Sequence, residues 1–335
     1  MKAFSYSRPD SVRDAVAGVA ADREAKFLAG GTNLVDLMRL GVERPDALID
    51  VRHLLGHDIE PTADGGLLVG SGVANSDLAV DPRVRQAYPV LSQALLSGAS
   101  GQLRNAATVG GNLLQRTRCV YFQDVTKPCN KRQPGSGCPA REGSHRDLGI
   151  LGTSEACIAT HPSDMAVALA AVDATVHLTG PGGERTVRLE QLYRLPGDDP
   201  SRDTTLEHAE LITAVQLPPP SALYRSSRYR KVRDRASFAF AVGSIAAAMV
   251  IDDGLVREVR IAFGAVAPRP WRAHTAEDAL RGQPADAADF AAAIAAELEL
   301  AEPLRDNAFK VDLTRRMGAA VLTELAEAQQ QGSGR

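Results

Sequence analysis

The residues best suited to chemistry are the four cysteines, and all of them fall between Cys119 and Cys157 of a 335-residue chain. Their spacing is C-x9-C-x8-C-x18-C, through a stretch rich in Pro, Gly, Ser, Lys and Arg. Cysteine is ordinarily among the most buried residues, yet KPCNKRQPGSGCP (127–139) offers almost no apolar side chain to bury it. Three chemistries compete for such thiols. Disulfides would allow three connectivities, but a chain this large needs no staples, and MKAFSYSRPDSVRDAV at its N-terminus lacks the apolar run of an export signal. A structural zinc site favours short CxxC knuckles, which are absent. A four-thiolate iron–sulfur cluster tolerates wide, irregular spacing, because loops wrap around a cube of iron and sulfide. That cluster carries negative charge, and Arg116, Arg118, Lys127, Lys131, Arg132, Arg141 and Arg146 outnumber Asp124 and Glu142 around it. Such a positive shell would stabilise the reduced cluster and raise its potential; equally, the charges could simply solvate a loop. The residues alone leave these readings open.

Two glycine pairs form the second group. Gly30-Gly31-Thr32 lies between the strand-like KFLA (26–29) and the helical NLVDLMRL, closed by Gly41. Paired glycines permit close backbone approach and positive φ, and free N–H groups at a helix start can receive an anion. The stretch matches neither GxGxxG nor GxxxxGKS/T, so neither nucleotide fingerprint applies. TVGGNL (108–113) is a second double-glycine turn. Together the two could hold two parts of one large phosphate-bearing ligand; separately each reads as a bare turn.

The surrounding elements must position these groups. Apolar residues make up 44% and charged residues 24%, as in globular chains, while only 4% are aromatic, so small aliphatics build the core. A net charge of −3 argues against binding nucleic acid through bulk charge. The longest nearly apolar run, 238–251, is shorter than the roughly 18 residues of a membrane span, so a soluble chain is expected. Residues 1–55 read as strand (4–6), helix after Pro9-Asp10, strand (26–29), glycine turn, helix and strand (46–51). A second unit, 56–220, starts from LLVGSGV (67–73), continues as a helical region from Asp77 to Ser97, and holds the cysteine insertion at about 116–160. HPSDMAVALAAVDATVHLTG (161–180) reads as helix, strand and turn. The strand LITAVQLPPP ends in a triple proline, the best domain boundary. Beyond it, 221–330 alternates strands around an Asp-Asp-Gly turn (252–254), which suggests an antiparallel sheet. Ala-rich helices follow at 285–300 and 307–328, then QQQGSGR as a loose tail.

Four of these segments, AKFLAGGTNLVDLMRLG, ATVGGNL, HPSDMAVALAAVDA and YRKVRDRASFAFA, occur in the order that resembles the FAD-binding medium subunit of the xanthine dehydrogenase/molybdenum hydroxylase family. The cysteine insertion is similar to that of the 4Fe–4S-containing FAD subunit of periplasmic aldehyde oxidoreductases; 4-hydroxybenzoyl-CoA reductase is the nearest rival. The resemblance implies an α+β chain, with a two-part FAD-binding domain of the vanillyl-alcohol-oxidase/PCMH type and a C-terminal α+β domain like that of CO dehydrogenase flavoprotein. It implies that Lys26, Phe27, Leu28, Ala29, Gly30, Gly31, Thr32, Asn33 and Leu34 wrap the FAD pyrophosphate, with Thr108, Gly110, Gly111 and Asn112 as a second wall. Asp164 matches an acidic FAD contact, where it could otherwise be an ordinary helix cap. Lys231 falls where the family places a lysine near the flavin ring, and a cation there would stabilise negative charge on reduced flavin. Among the many arginines of its stretch it could otherwise be solvated surface. The 4Fe–4S ligands would be Cys119, Cys129, Cys138 and Cys157.

The function implied is a relay in a heterotrimer. A large molybdenum-cofactor subunit oxidises an aldehyde with water to a carboxylic acid, and a small subunit carries two 2Fe–2S centres. This chain then passes the electrons through FAD to an external acceptor, with no catalytic residue of its own. The expected location is the periplasm, by co-export with a signal-bearing partner, or otherwise the cytoplasm. A xanthine dehydrogenase-like flavin subunit and, from another class, a non-redox zinc-binding scaffold are the alternatives. A stand-alone flavin oxidase is disfavoured, because neither glycine turn holds a His or Cys for a covalent flavin link.

Overall fold

The structure, a computed structural model, describes residues 1–333. Its first unit has the expected order: β1 (Ser5–Ser7), α1 (Val12–Ala20), β2 (Ala25–Leu28), α2 (Leu34–Arg39) and β3 (Ala47–Asp50). The strands form a parallel sheet in the order β1-β3-β2. Ser11 starts α1 by accepting a hydrogen bond from the Asp14 amide.

The second unit is a five-stranded sheet of order β4-β5-β8-β6-β7, from β4 (Ile59–Pro61), β5 (Leu67–Gly70), β6 (Thr175–Gly180), β7 (Gly183–Arg188) and β8 (Leu211–Leu217). The helical region expected from Asp77 to Ser97 is three helices, α3 (Asn75–Val80), α4 (Pro82–Ala87) and α5 (Pro89–Ser97). Pro82 and Pro89 each open a new helix, because proline has no N–H to continue the preceding one. After α6 (Gly101–Ala106), the second glycine pair is not a turn. It lies inside a short helix, α7 (Val109–Leu113), that Thr108 caps by accepting from the Gly111 amide. The helices α8 (Val120–Gln123), α9 (Asp164–Ala171) and α10 (Leu189–Leu192) complete this unit.

Past α11 (Ala222–Arg225), a four-stranded antiparallel sheet contains β9 (Ser227–Val232), β10 (Gly243–Asp252), β11 (Leu255–Gly264) and β12 (Trp271–Arg272). Asp253 and Gly254 join β10 to β11 with φ of 49° and 77°, the two positive values a two-residue hairpin turn needs. Alternate residues of β10 serve two cores. Ala246 and Ala248 face the core of α5 and α9, while Ile245, Ala247 and Met249 face α12 (His274–Leu280), α13 (Ala287–Leu298) and α14 (Phe309–Ser333). Small side chains on the α9 side let a helix rich in alanine lie close to the sheet. The tail expected to be loose from Gln329 is instead helical to Ser333, and residues 334 and 335 lie outside the described residues. Gln329 donates to Ser226 Oγ and Met249 O at 2.9 Å and accepts from the Ile251 amide at 3.0 Å. Among the described residues no helix is long and apolar enough to cross a membrane.

The cysteine insertion is tied to the C-terminal unit through main-chain atoms. The Ile150 and Leu151 amides both donate to Val266 O, and Glu302 N donates to Ile150 O at 2.7 Å. Fully buried Lys310 donates to Leu148 O at 3.0 Å and to Ala265 O at 2.8 Å. Burial pushes the Lys310 ammonium down to about 7.

Candidate functional site

The junction of β2 and α2 faces α7 across a cavity of about 320 Å³. Lys26, Phe27, Ala29, Gly30, Gly31, Thr32, Asn33 and Leu34 line one side of it, and Thr108, Gly110 and Gly111 the other. The two glycine pairs, far apart in sequence, therefore meet. Leu28 lines no part of this cavity; its carbonyl accepts from the Val51 amide within the sheet. A Cβ on Gly30 would lie 2.2 Å from Ala106 O, and Gly31 has φ of +72°, so both positions require glycine. Among the described residues, the amides of Gly30, Gly31, Thr32 and Asn33 donate to no protein acceptor. Four consecutive unpaired N–H groups form a nest for an anion.

A second cavity of about 580 Å³ shares Thr32, Asn33 and Gly111 with the first and extends to Asn112, Asp164 and Lys231. Ser163, not Asp164, caps α9, accepting from Ala166 N at 3.0 Å. This leaves the Asp164 carboxylate to accept from Lys231 Nζ at 2.8 Å and from Tyr229 Oη at 2.5 Å. Lys231 is no surface cation: its side chain is only 3% exposed. Burial, and the Asp164 charge beside it, hold the Tyr229 phenol far above its usual range, so it remains a donor. Buried His161 Nε2 and Asn75 Oδ1, both of residues lining this cavity, have no partner, nor does Ser71 Oγ, whose Cβ packs at Gly110. Burial pushes the His161 imidazole down to about 4, so it is neutral. Anion-binding amides at one end and unpaired buried polar atoms at the other fit a long ligand with a diphosphate and a polar ring, as FAD is.

The four cysteines converge. Cys119, Cys129, Cys138 and Cys157 line one small cavity, with Phe122, Lys131 and Ile158. All four are free thiols, so the disulfide alternative is overturned. Burial raises the thiol of Cys119 to about 11 and also raises Cys138 and Cys157, the last opposed by the nearby Lys131 charge. Among the described residues no three His, Cys, Asp or Glu side chains form a group that could hold a metal ion. A single tetrahedral ion with Zn–S of about 2.3 Å needs its sulfurs about 3.8 Å apart. The four thiols line one space together, and no group among the described residues meets the requirement of a single bound ion. Cys119 also lines the 580 Å³ cavity, so the two spaces have a common wall.

Much of the positive shell expected around the cysteines is paired with acidic residues other than Asp124 and Glu142. Arg116 pairs with Glu43 at 2.8 Å and Asp203 at 2.6 Å, and Lys131 with Asp203 at 2.5 Å. Arg141 pairs with Glu155 at 2.8 Å and Arg146 with Asp234 at 2.9 Å. Arg132 donates to the carbonyls of Tyr121, Phe122, Asp124 and Lys127, bracing the loop. Glu43 and Asp203 come from distant segments, and neither they nor Asn75 sit in a motif that would have singled them out; His161 opens HPSDMAVALAAVDA, a segment noted for its resemblance but not for this residue.

Known proteins resemble this chain over nearly its whole length. Residues 2–220 match the family described as FAD binding domain in molybdopterin dehydrogenase, and 227–325 that described as CO dehydrogenase flavoprotein C-terminal domain. The chain is 52% identical to the aldehyde oxidoreductase FAD-binding subunit PaoB of Escherichia coli (strain K12), over 97% of its length and 98% of the relative's. It is 26% identical to the xanthine dehydrogenase FAD-binding subunit of Escherichia coli O157:H7, over 97% and 96%. The solved carbon monoxide dehydrogenase from Hydrogenophaga pseudoflava superposes with a TM-score of 0.73 at 27% identity, covering 95% of this chain and 96% of that one. Quinoline 2-oxidoreductase from Pseudomonas putida 86 has the same fold, with a TM-score of 0.74 at 24% identity over 98% and 99%.

Proposed function

The chain belongs to the FAD-binding medium subunits of the molybdenum hydroxylase family, oxidoreductase subunits that bind FAD, and from that premise we propose that it is the electron-relay subunit of a molybdenum-dependent aldehyde oxidoreductase. In this reading it also carries a 4Fe–4S cluster on Cys119, Cys129, Cys138 and Cys157. Its partners are a large molybdenum-cofactor subunit and a small 2Fe–2S subunit, and the electrons leave to an external acceptor. One observation carries the reading furthest: four free thiols line one cavity whose wall, at Cys119, is also the wall of the flavin cleft. Bound FAD supplies the exchange between electrons taken singly and electrons released in pairs, and a bound cluster supplies single-electron transfer.

The chain's own residues hold and orient. The amides of Gly30 to Asn33 receive the diphosphate, and Gly30 and Gly110 keep the backbone close enough for them to do so. Asp164, fixed by the Tyr229 hydroxyl, holds Lys231 as a donor facing the wider cavity. A cation there favours negative charge on whatever ring it meets. The identity to a subunit of an aldehyde oxidoreductase supports that substrate class. We place the assembly in the periplasm, exported with a signal-bearing partner, and cell fractionation against a periplasmic marker checks this.

The test of the relay is reduction by substrate. With the partners co-expressed, adding an aldehyde without air bleaches the flavin absorbance, whereas the isolated chain is unaffected. An isolated chain that oxidises an aldehyde or alcohol alone is a stand-alone oxidase and defeats the proposal. A colourless, zinc-containing chain also defeats it.

A further inference from the structure

Five charged side chains connect the two cavities. Lys26 Nζ lies 3.0 Å from Glu43 Oε2, Glu43 Oε1 2.8 Å from Arg116, Arg116 Nε 2.6 Å from Asp203 Oδ2, and Asp203 Oδ1 2.5 Å from Lys131 Nζ. Lys26, Glu43 and Arg116 line the cleft with the amide nest, and Lys131 lines the cysteine cavity. The order is cation, anion, cation, anion, cation, running from one anion site to the other. Arg116 adds a second tie, its guanidinium 4.9 Å from the ring centroid of Phe122, which lines the cysteine cavity.

The members come from five separate places in the chain, so no one helix or strand fixes their spacing. Charge pairing does. Except for Lys26 they are largely withdrawn from solvent, with Lys131 only 6% exposed, so salt screens them weakly. Removing one partner from such a chain leaves its neighbour an uncompensated buried charge. Asp203 is the joint, because each of its two oxygens holds a cation that serves a different cavity.

We propose that Asp203 is a positioning residue that couples the two sites, so that filling the cysteine cavity with its cluster tightens the hold on FAD, and the reverse. This rests on the reading of the cavities as an FAD cleft and a cluster site. The net charge of the five side chains is one positive unit, shared between two anions. Ordering Lys131 around the cluster fixes Asp203, which fixes Arg116 at the cleft, and FAD then meets a site whose ordering cost is already met. Linkage requires the coupling to be equal in both directions.

The test uses the full chain and FAD as the probe, with affinity read from flavin fluorescence and cluster content from iron and sulfide. Cys157→Ser, which empties the cysteine cavity, lowers FAD affinity about tenfold, within the usual range of coupling. In the Asp203→Asn background the same serine substitution changes affinity by less than about twofold, the coupling being lost. Asp203→Glu restores the difference, which a general loss of stability would not permit. If Asp203→Asn does not fold, Lys131→Met severs the chain at its other side and gives the same collapse. An unchanged tenfold difference in the severed chains overturns the coupling while leaving both cofactors in place. A native chain that binds no FAD, or that acquires no iron, overturns the underlying reading and the coupling with it, and shows a different signature.

Discussion

At the β2–α2 junction the groups turned toward the ligand are main-chain amides; in the insertion they are side-chain thiols. The first site is made by local backbone geometry. Two glycines between a strand and a helix release four N–H groups, and nothing distant is needed beyond the close approach of Ala106. The second has almost no regular structure, only one short helix among its turns. Its shape depends on Arg132 gathering four carbonyls, on Lys131 held by Asp203, and on Lys310 reaching Leu148 from the C-terminal helix. The amide geometry itself is broken only from nearby, whereas the thiol arrangement can be broken from far away.

The largest effect should follow from breaking the amide site locally. Gly30→Val drives a side chain into Ala106 O and should abolish flavin retention, at a stability cost of up to about 3 kcal/mol for overpacking. Iron content should survive, and the ratio of flavin to iron in purified protein measures this. A variant that keeps normal flavin would show that the backbone approach is unimportant. Next in size, Cys129→Ser or Cys138→Ser should lose iron and sulfide while still binding FAD supplied in excess. Full iron and sulfide in every single cysteine variant would remove the ligand assignment.

The third prediction probes where the two kinds of site meet. Lys231→Met or Asp164→Asn, each leaving half of a buried pair, should cost about 3–5 kcal/mol in denaturant melts, and the double variant distinctly less. Lys231→Ala should also lower the flavin potential while FAD stays bound; an unchanged potential would take that role away. The smallest effect concerns the insertion's anchor. Folding depresses Lys310 from 10.5 to about 7, so the unfolded chain binds more protons between those values. Stability contributed at this position therefore rises with pH across that window and is lost as Lys310 is charged on the acid side. Lys310→Met should remove this dependence, seen as a pH-dependent difference in melting temperature of a few degrees between the two proteins. Parallel curves would show that Lys310 is not desolvated as its surroundings imply.

What the residues reveal by themselves follows the same division. The strand–glycine–helix order and the Asp-Asp-Gly hairpin were legible because they depend on neighbours in sequence. The triple proline at 218–220 ends β8 for the same reason. TVGGNL was legible as a site but not as a helix, because its start depends on Thr108 capping residues that glycine alone disfavours. Asp164 resembled a cap until Ser163 took that role and Lys231 and Tyr229 claimed the carboxylate from another sheet. Asp203 and Glu43 carried no sequence signal, since each matters only through partners tens of residues away. Gln329 looked like part of a loose polar tail because its partners are main-chain groups of β10 and a serine before β9.

The central claim is that one chain holds both an FAD and a four-thiolate cluster, and cofactor stoichiometry tests it most directly. The chain purified without air should contain about one FAD with about four iron and four sulfide, and a broad visible shoulder beside the flavin bands should bleach with dithionite. A chain with one FAD but zinc or no metal, and flavin bands alone, would contradict the account.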